Sequence, residues 1–177
     1  MGIEIEKKFT VKELPKDLDK YPFHTIEQGY LNVHPAIRVR REDETYYMTY
    51  KGVSKNTDGI GKTEYNLPLD KDSYSHLIEK ADGNIIRKKR YCIPINKDAF
   101  AESFLSDNKE TAKALSQGDI KIELDIFAAP FEGRILAEVE FPSEEAAAAY
   151  TPAAWFDEDV TGDLKYSNSV MSKEKII

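Results

Sequence analysis

Charged side chains occur two positions apart along several extended segments of the chain. Glu4, Glu6 and Lys8 lie opposite the apolar row of Ile3, Ile5 and Phe9 in "GIEIEKKF", and Arg38 and Arg40 alternate with Ile37 and Val39 in "AIRVRR". The same spacing recurs with Lys88 and Arg90, Glu123 and Asp125, and Glu138 and Glu140, and a charged residue shares it with a neutral polar one in Thr49 and Lys51 and in Glu64 and Asn66. Alternate residues of a β-strand point to one face. Like charges about 7 Å apart on a face repel unless opposite charges lie nearby, so we expect rows of acids to face rows of bases.

These residue types suit a complex of a metal ion with a polyphosphate. Guanidinium groups donate paired hydrogen bonds to phosphate oxygens, and ammonium groups neutralise them as point charges. Carboxylates are the oxygen ligands that Mg²⁺ and Mn²⁺ prefer. Each strand considered alone is typical of a solvent-exposed outer face, but the repetition over seven strands favours an enclosed charged interior. Neither glycine-rich phosphate motif, G-x-x-x-x-G-K-[ST] or G-x-G-x-x-G, is present.

The elements that would position these residues are mostly strands, because most of the chain has a hydrophobic period of two. The candidate strands are 2–10, 25–32, 35–42, 45–52, 62–69, 85–93, 119–127 and 134–141. Asp70 and Ser143 are suited to cap helices that follow them, and a helical pattern lies within 96–118. This order predicts one antiparallel β structure, either open or closed into a barrel, with few helices.

Composition limits the class of protein and of partner. The chain has 177 residues, of which 41% are hydrophobic and 32% charged, and its net charge is -7. The acidic balance argues against a nucleic-acid or membrane-surface partner and leaves room for a local basic pocket. No apolar run approaches the roughly 20 residues of a membrane span. Cys92 is the single cysteine, so no internal disulfide can form, and we expect a cytoplasmic protein.

A family resemblance is carried by an ordered set of segments over nearly the whole chain. The segments are "EIEKKF", "EQGYL", "IRVRR", "YMTYKG", "KTEYNLPL", "IRKKRY", "IELDIF", "AEVEFPSEEAA" and "DVTGDLKYSNS". The first resembles the E-x-E-x-K signature of the CYTH superfamily, the triphosphate tunnel metalloenzymes, and the whole is most similar to the short bacterial members. The resemblance implies an α+β, mainly β fold. Its core would be an eight-stranded antiparallel closed barrel, a tunnel with a charged lumen and helices packed outside. Residues 1–177 would form a single domain, with 96–118 as a helical insertion.

The resemblance also implies roles for individual residues. The acids expected to bind Mg²⁺ or Mn²⁺ are Glu4, Glu6 and Glu140. The bases expected to bind a triphosphate are Lys8, Arg38, Arg40, Lys51, Lys88 and Arg90. The acids expected to support those bases or a second metal ion are Glu64, Glu123, Asp125 and Glu138. Tyr30 is expected to act in catalysis together with Lys51.

The leading functional hypothesis is metal-dependent hydrolysis of inorganic tripolyphosphate to pyrophosphate and phosphate. A second metal ion, a carboxylate or the Tyr30–Lys51 pair could activate the attacking water. The alternatives are an adenylyl cyclase of the same superfamily, hydrolysis of nucleoside or thiamine triphosphates, and a non-catalytic polyphosphate-binding module. An RNA 5′-triphosphatase is disfavoured by the acidic net charge. We expect a small polyanionic substrate and a monomer or homodimer.

Overall fold

The computed structural model describes residues 5–53 and 62–176. Its strands are β1 Ile5–Val11, β2 Phe23–Val33, β3 Ala36–Glu42, β4 Thr45–Val53, β5 Lys62–Leu69, β6 Ile86–Pro94, β7 Lys121–Phe127, β8 Ile135–Phe141 and β9 Phe156–Asp159. Its α-helices are α1 Lys71–Ile78, α2 Glu102–Asp107, α3 Lys109–Gln117, α4 Glu144–Ala149 and α5 Asn168–Met171. Each of the eight predicted strands has a counterpart, and the fold is mainly β as predicted. Within the described residues, no helix has the length and apolar character needed to cross a membrane.

The strands form one antiparallel sheet in the order β5-β4-β3-β2-β6-β7-β8-β1-β9. The prediction of a closed eight-stranded barrel is therefore corrected in two respects: the sheet has nine strands, and within the described residues it stays open, with β5 and β9 at its edges. The ninth strand, Phe156–Asp159, consists of one phenylalanine and the acidic run 157–159, which has no alternating pattern. Phe9 and Val11 pair with Asp159 and Phe156, so β9 occupies the edge of β1 that closure of the sheet would use.

The convex face of the sheet carries the larger apolar core. Buried side chains of β1, β7 and β8, among them Phe9, Leu124 and Val139, pack there with residues of the connecting segments. Phe100 belongs to this cluster, and Phe104, Leu105 and Leu115 of α2 and α3 pack against it. The two helices found within 96–118 thus cover the sheet from outside, in line with the outer helices that the resemblance implies.

Capping side chains begin two of the helices where the sequence predicts. The carboxylate of Asp70 accepts a hydrogen bond from the backbone N–H of Ser73, and the hydroxyl of Ser143 accepts one from Ala146. Both bonds satisfy donors of the first helical turn that have no partner within the helix. Helix α4 contacts β1 and β8, while α1 contacts β3 and β4, so both helices support strands that carry predicted site residues.

The concave face is apolar at one end. Tyr30, Ile86, Phe127 and Leu136 belong to a second buried cluster there, together with Met171 of α5. This cluster was not predicted, because it joins the ends of strands that are far apart in sequence. The C-terminal segment therefore packs against the inner face of the sheet. The charged part of that face ends at this second cluster, which we call the apolar floor.

Candidate active site

The concave face of the sheet encloses a cavity of about 880 Å³. The charged residues lining it are Glu6, Lys8, Arg38, Arg40, Lys51, Glu64, Arg90, Glu138 and Glu140. They come from two sets of strands, which we call the arms of the sheet: β1, β6 and β8 in one arm, and β3, β4 and β5 in the other. The sheet therefore curls enough to bring both arms to one space. This volume falls within the range of small-molecule sites. The predicted meeting of acidic and basic rows is thus observed.

Arg90 is the centre of the ion-pair network on β1, β6, β7 and β8. Its Nε and NH2 groups donate to the two carboxylate oxygens of Asp125, each at 2.7 Å. NH2 also donates to Glu138 at 2.5 Å, and NH1 donates to Glu123. Lys8 Nζ lies 2.8 Å from the other carboxylate oxygen of Glu138. Three carboxylates therefore surround one guanidinium, and they fix its plane.

The pKa values of Glu138, Arg90 and Lys8 shift toward the charged forms. Burial works to raise the pKa of Glu138, but Arg90 and Lys8 hold that pKa well below its usual range. Burial works to lower the pKa of Arg90, and the carboxylates of Asp125 and Glu138 raise it above its ordinary value. For Lys8 burial acts the same way, and Glu138 and Glu6 produce a net rise in its pKa. Glu138, Arg90 and Lys8 therefore favour one another's charged forms.

Lys88 does not reach the cavity wall, although it was predicted to bind triphosphate. Its side chain is 0% exposed and pairs with Asp125 behind Arg90. Burial and then the neighbouring Arg90 lower the pKa of Lys88 to about 8, against the opposing effect of Asp125. Asp125 and Glu123 are likewise absent from the described lining of the cavity. Lys88 and Asp125 lie below the wall, where Asp125 can orient Arg90, while Glu123 is partly exposed beside it.

Arg38 and Arg40 form the basic surface of the opposite arm. Arg40 Nε donates to Gln28 Oε1 at 2.9 Å, and Arg40 NH1 donates to the Tyr47 hydroxyl at 3.1 Å. Tyr47 in turn donates to Glu42 at 2.7 Å. Burial and then the neighbouring guanidinium of Arg38 lower the pKa of Arg40. The hydrogen-bond partners of Arg40 are neutral, and the nearest carboxylate, that of Glu42, lies 3.9 Å from NH1, in contrast to the carboxylates that accept hydrogen bonds from Arg90.

The second cationic position of this arm is Lys51 on β4. Its Nζ lies 2.6 Å from Glu64 Oε2 on β5, which is its Cα partner in the ladder. Asn66 donates to the other oxygen of Glu64 at 3.0 Å. Tyr30, predicted to act with Lys51, also lines the cavity and is 4% exposed. Glu64 thus forms an ion pair with Lys51, and its role in supporting that base stays a prediction.

Two of the three predicted metal ligands can be located. Glu6 on β1 and Glu140 on β8 are directly opposite each other in the ladder, and both line the cavity. Two facing carboxylates are a donor set that fits a hard divalent cation. Glu4 lies outside the described residues. Within 5–53 and 62–176 there is no group of three acids, histidines or cysteines arranged to hold a metal ion.

Several residues at the site were not predicted. Gln28 and Tyr47 contact Arg40, and Ser167, Asn168 and Ser169 of the C-terminal segment line the cavity. Gln28 and Tyr47 share the inward parity of Tyr30 and Lys51 on their strands, so spacing alone could have identified them. The C-terminal residues carry no such pattern, because they come from a segment without strand periodicity.

Comparisons with known proteins identify relatives that span the whole chain. No family model matches. An inorganic triphosphatase of Nitrosomonas europaea is 31% identical over 173 residues, which is 96% of each chain. One of Acetivibrio thermocellus is 32% identical over 177 residues, covering 98% of this chain and 95% of that relative.

Solved structures agree with these relatives. The crystal structure of an inorganic triphosphatase matches with a TM-score of 0.66 and 28% identity, over 99% of this chain and 97% of the other. A Hippeastrum protein with a dominant triphosphatase activity shares the fold alone, at a TM-score of 0.51 and 14% identity over 82% of this chain and 83% of its own. Two relatives above 30% identity cover nearly the full length, and the chain therefore belongs to the CYTH superfamily of triphosphate tunnel metalloenzymes, in its inorganic triphosphatase family.

Proposed function

We propose that the chain hydrolyses inorganic tripolyphosphate to pyrophosphate and phosphate in the cavity of the curled sheet, with Mg²⁺ or Mn²⁺ as cofactor. The observation that carries the proposal is the meeting in one cavity of bases from both arms with the facing carboxylates of Glu6 and Glu140. The names of the two full-length relatives support the choice of substrate.

The bases of the cavity would bind and orient the phosphate chain. Arg38 and Arg40 on one arm and Lys8 and Arg90 on the other can neutralise its oxygens from two sides. Lys51 is held by Glu64 at 2.6 Å and would add a point charge. Charge neutralisation matters because phosphoryl transfer depends mainly on positioning and on electrostatic stabilisation of the transition state.

The acids would provide the metal site. Glu6 and Glu140, with Glu4 as the further predicted ligand, would hold the divalent ion near the bound chain. When bound, such an ion neutralises phosphate oxygens and stabilises the leaving pyrophosphate. Water attacks the terminal phosphorus in line, the bond to the bridging oxygen breaks, and pyrophosphate leaves. We propose Tyr30 and Lys51 as the catalytic pair beside the terminal phosphate, since both line the cavity.

Domain organisation and location belong to the same proposal. We propose one domain over 1–177, in which 96–118 is a helical insertion, because α2 and α3 pack on the core that the strands form. We propose a cytoplasmic location, because the single cysteine, Cys92, is typical of proteins that do not depend on disulfides.

The test is a substrate panel with separate measurement of phosphate and pyrophosphate. Tripolyphosphate, ATP and thiamine triphosphate would be assayed with Mg²⁺, Mn²⁺ and Ca²⁺. We expect equal amounts of phosphate and pyrophosphate from tripolyphosphate, with the highest kcat/KM of the panel. Cyclic AMP with pyrophosphate from ATP would instead identify a cyclase, and binding without turnover would identify a non-catalytic module.

A single substitution tests the metal site. Glu6→Gln should lower metal-dependent turnover by about 100-fold or more, because it removes one carboxylate ligand charge. Glu158→Gln is the control, since Glu158 is an exposed acid on β9 outside the described lining of the cavity. Near-wild-type turnover of Glu6→Gln at limiting Mg²⁺ would contradict the metal assignment.

A further inference from the structure

Gln28 is a fully buried polar residue directly beside the cavity wall. It lies on β2 between Arg40 on β3 and Ile86 on β6, which are its Cα partners in the two ladders. Its relative exposure is 0%. The alternation of acids and bases in the sequence gives Gln28 no role, and the proposed hydrolysis of tripolyphosphate assigns it none.

The hydrogen bond to Arg40 determines how the Gln28 amide is oriented. The Nε group of arginine can only donate, so the amide oxygen of Gln28 must face it, and the two atoms are 2.9 Å apart. This orientation directs Nε2 away from Arg40, where it has no hydrogen-bond partner among the described residues. A buried amide donor without an acceptor is unfavourable. If the position served packing alone, an apolar side chain of similar size would avoid that cost.

A second neutral group fixes the other side of the same guanidinium. The Tyr47 hydroxyl accepts from Arg40 NH1 at 3.1 Å and donates its own proton to Glu42 at 2.7 Å. The Glu42 carboxylate itself stays 3.9 Å from Arg40 NH1. The two contacts therefore use Nε and NH1 and fix the plane of the guanidinium, while NH2 takes part in neither.

Arg40 and Arg90 differ in how far their positive charge is compensated by the groups that orient them. Arg90 is surrounded by Glu123, Asp125 and Glu138, so its charge is compensated within the protein. Arg40 is also oriented by hydrogen bonds, but its hydrogen-bond partners are an amide and a phenol, so less of its charge is compensated within the protein and more is available to an anion. A carboxylate in place of Gln28 would orient Arg40 equally well and compete with that anion.

We propose that Gln28 is a positioning residue that, with Tyr47, orients the Arg40 guanidinium toward a phosphate group of the substrate without neutralising it. The proposal rests on the proposed function in so far as the anion is a phosphate chain. It explains why a buried amide with an unsatisfied donor lies beside a residue of the cavity wall. It also assigns the two arms different tasks, since the neutral hydrogen bonds leave Arg40 less compensated than Arg90.

The test compares three variants by calorimetric binding of tripolyphosphate without metal, and by the NMR signal of the Arg40 Nε–H. Gln28→Leu removes the acceptor of the Arg40 Nε–H. We expect the Kd for tripolyphosphate to rise about 10- to 100-fold, which corresponds to the loss of a hydrogen bond to a charged group. The Nε–H proton, which we expect to exchange slowly in wild type, should then exchange fast enough for its signal to be lost. Gln28→Glu should keep that signal and still weaken binding. Tyr47→Phe should also raise the Kd for tripolyphosphate, and it provides the test if Gln28→Leu does not fold.

Thr111→Val is the matched control for loss of a buried polar side chain. Thr111 is 0% exposed on α3, away from the cavity, so its variant should change stability and leave Kd unchanged. A Gln28→Leu protein that binds tripolyphosphate within about threefold of wild type, a difference under 1 kcal/mol, would overturn the proposal. So would tighter binding by Gln28→Glu.

The outcomes separate this proposal from the proposed function. Wild-type protein that binds tripolyphosphate without hydrolysing it would contradict the hydrolase assignment, while the effect of Gln28 on binding would stand. Wild-type hydrolysis together with unchanged binding in Gln28→Leu and Tyr47→Phe would overturn the positioning role alone. Absence of any binding by wild type, together with no hydrolysis of tripolyphosphate in the presence of Mg²⁺ or Mn²⁺, would overturn both.

Discussion

At the scale of residues, the buried ions of the site form a series of ion pairs that runs from the protein interior to the cavity. Lys88 and Asp125, at 0% and 1% side-chain exposure, form the deepest pair, and Arg90 lies between them and the cavity. Desolvation of such a pair is costly, and removing one partner leaves an uncompensated buried charge. Asp125 therefore determines whether Lys88 and Arg90 can both be present as cations.

Asp125→Asn should lower the free energy of unfolding at pH 7 by about 3–5 kcal/mol, because it leaves Lys88 buried beside Arg90 without its counter-ion. Urea denaturation measures the change. Glu132→Gln, at an exposed acid, is the control and should stay within about 0.5 kcal/mol of wild type.

The double variant Asp125→Asn/Lys88→Met gives the decisive comparison. Removal of both partners should restore about half or more of the lost stability, since the orphaned ammonium is then gone. A double variant that is less stable than Asp125→Asn would contradict the role given to Lys88 as the cation that Asp125 compensates.

At the scale of elements, the position of the C-terminal segment depends on the close packing of Gly83 against the backbone of Ser172. Asn84 donates from its backbone to the carbonyl of Ser172 at 2.7 Å, and Arg134 forms two hydrogen bonds with Glu174. A Cβ on Gly83 would lie 2.1 Å from the Ser172 carbonyl oxygen, and φ of Gly83 is +80°. Glycine is therefore required there by both conformation and space.

Gly83→Ala should displace the segment that carries Ser167–Ser169 to the cavity. We expect a loss of stability larger than that of Gly118→Ala by about 1–3 kcal/mol, the usual cost of overpacking. Gly118 is the matched control, because its φ is +75° and a Cβ there would meet nothing within 4 Å. Urea denaturation and proteolysis of the C-terminal segment provide the two measurements.

Equal losses in the two glycine variants would mean that backbone strain alone is responsible. The close contact with Ser172 would then contribute nothing, and the C-terminal segment would not depend on Gly83 for its position. Faster proteolysis confined to Gly83→Ala is the result that the packing argument requires.

At the scale of the whole molecule, a protein of net charge -7 encloses a cavity with five basic side chains from both arms of an open sheet. A polyanion that contacts both arms should bind the folded state alone. It should therefore stabilise the fold by mass action.

Tripolyphosphate at 100 times its Kd should raise the free energy of unfolding by about 2.7 kcal/mol, which a thermal shift assay can follow. Added KCl should weaken the effect, because the Debye length falls from about 10 Å at 0.1 M to about 3 Å at 1 M. The double variant Arg38→Ala/Arg40→Ala should lose most of the shift. An undiminished shift in that variant would place the anion elsewhere.

Much of the site could be predicted from spacing. Glu6, Lys8, Arg38, Arg40, Lys51, Arg90 and Glu140 all line the cavity, as their parity on the strands predicts. The helix caps Asp70 and Ser143 were also predictable, because capping depends on residues close in sequence. The roles of these site residues in binding and catalysis stay predictions until the variants are assayed.

The position of Lys88 below the cavity wall could not be predicted from its parity, which it shares with Arg90 on β6. Depth within the inner face depends on how the strands stagger and curl, and on which carboxylate lies opposite. β9 could not be predicted either, since Asp157, Glu158 and Asp159 have no apolar alternation and pair only because β1 offers an edge.

The amino-acid sequence by itself determined which residues share a face of each strand, because alternation is a property of the local backbone. It also determined that the inner face is ionic and that the outer face is clad with helices over much of the sheet. Tertiary structure alone decided that the sheet stays open over the described residues, that an apolar floor ends the cavity, and that Arg40 has neutral partners where Arg90 has carboxylates. These outcomes depend on contacts between residues distant in sequence, whose register and curvature no local pattern encodes.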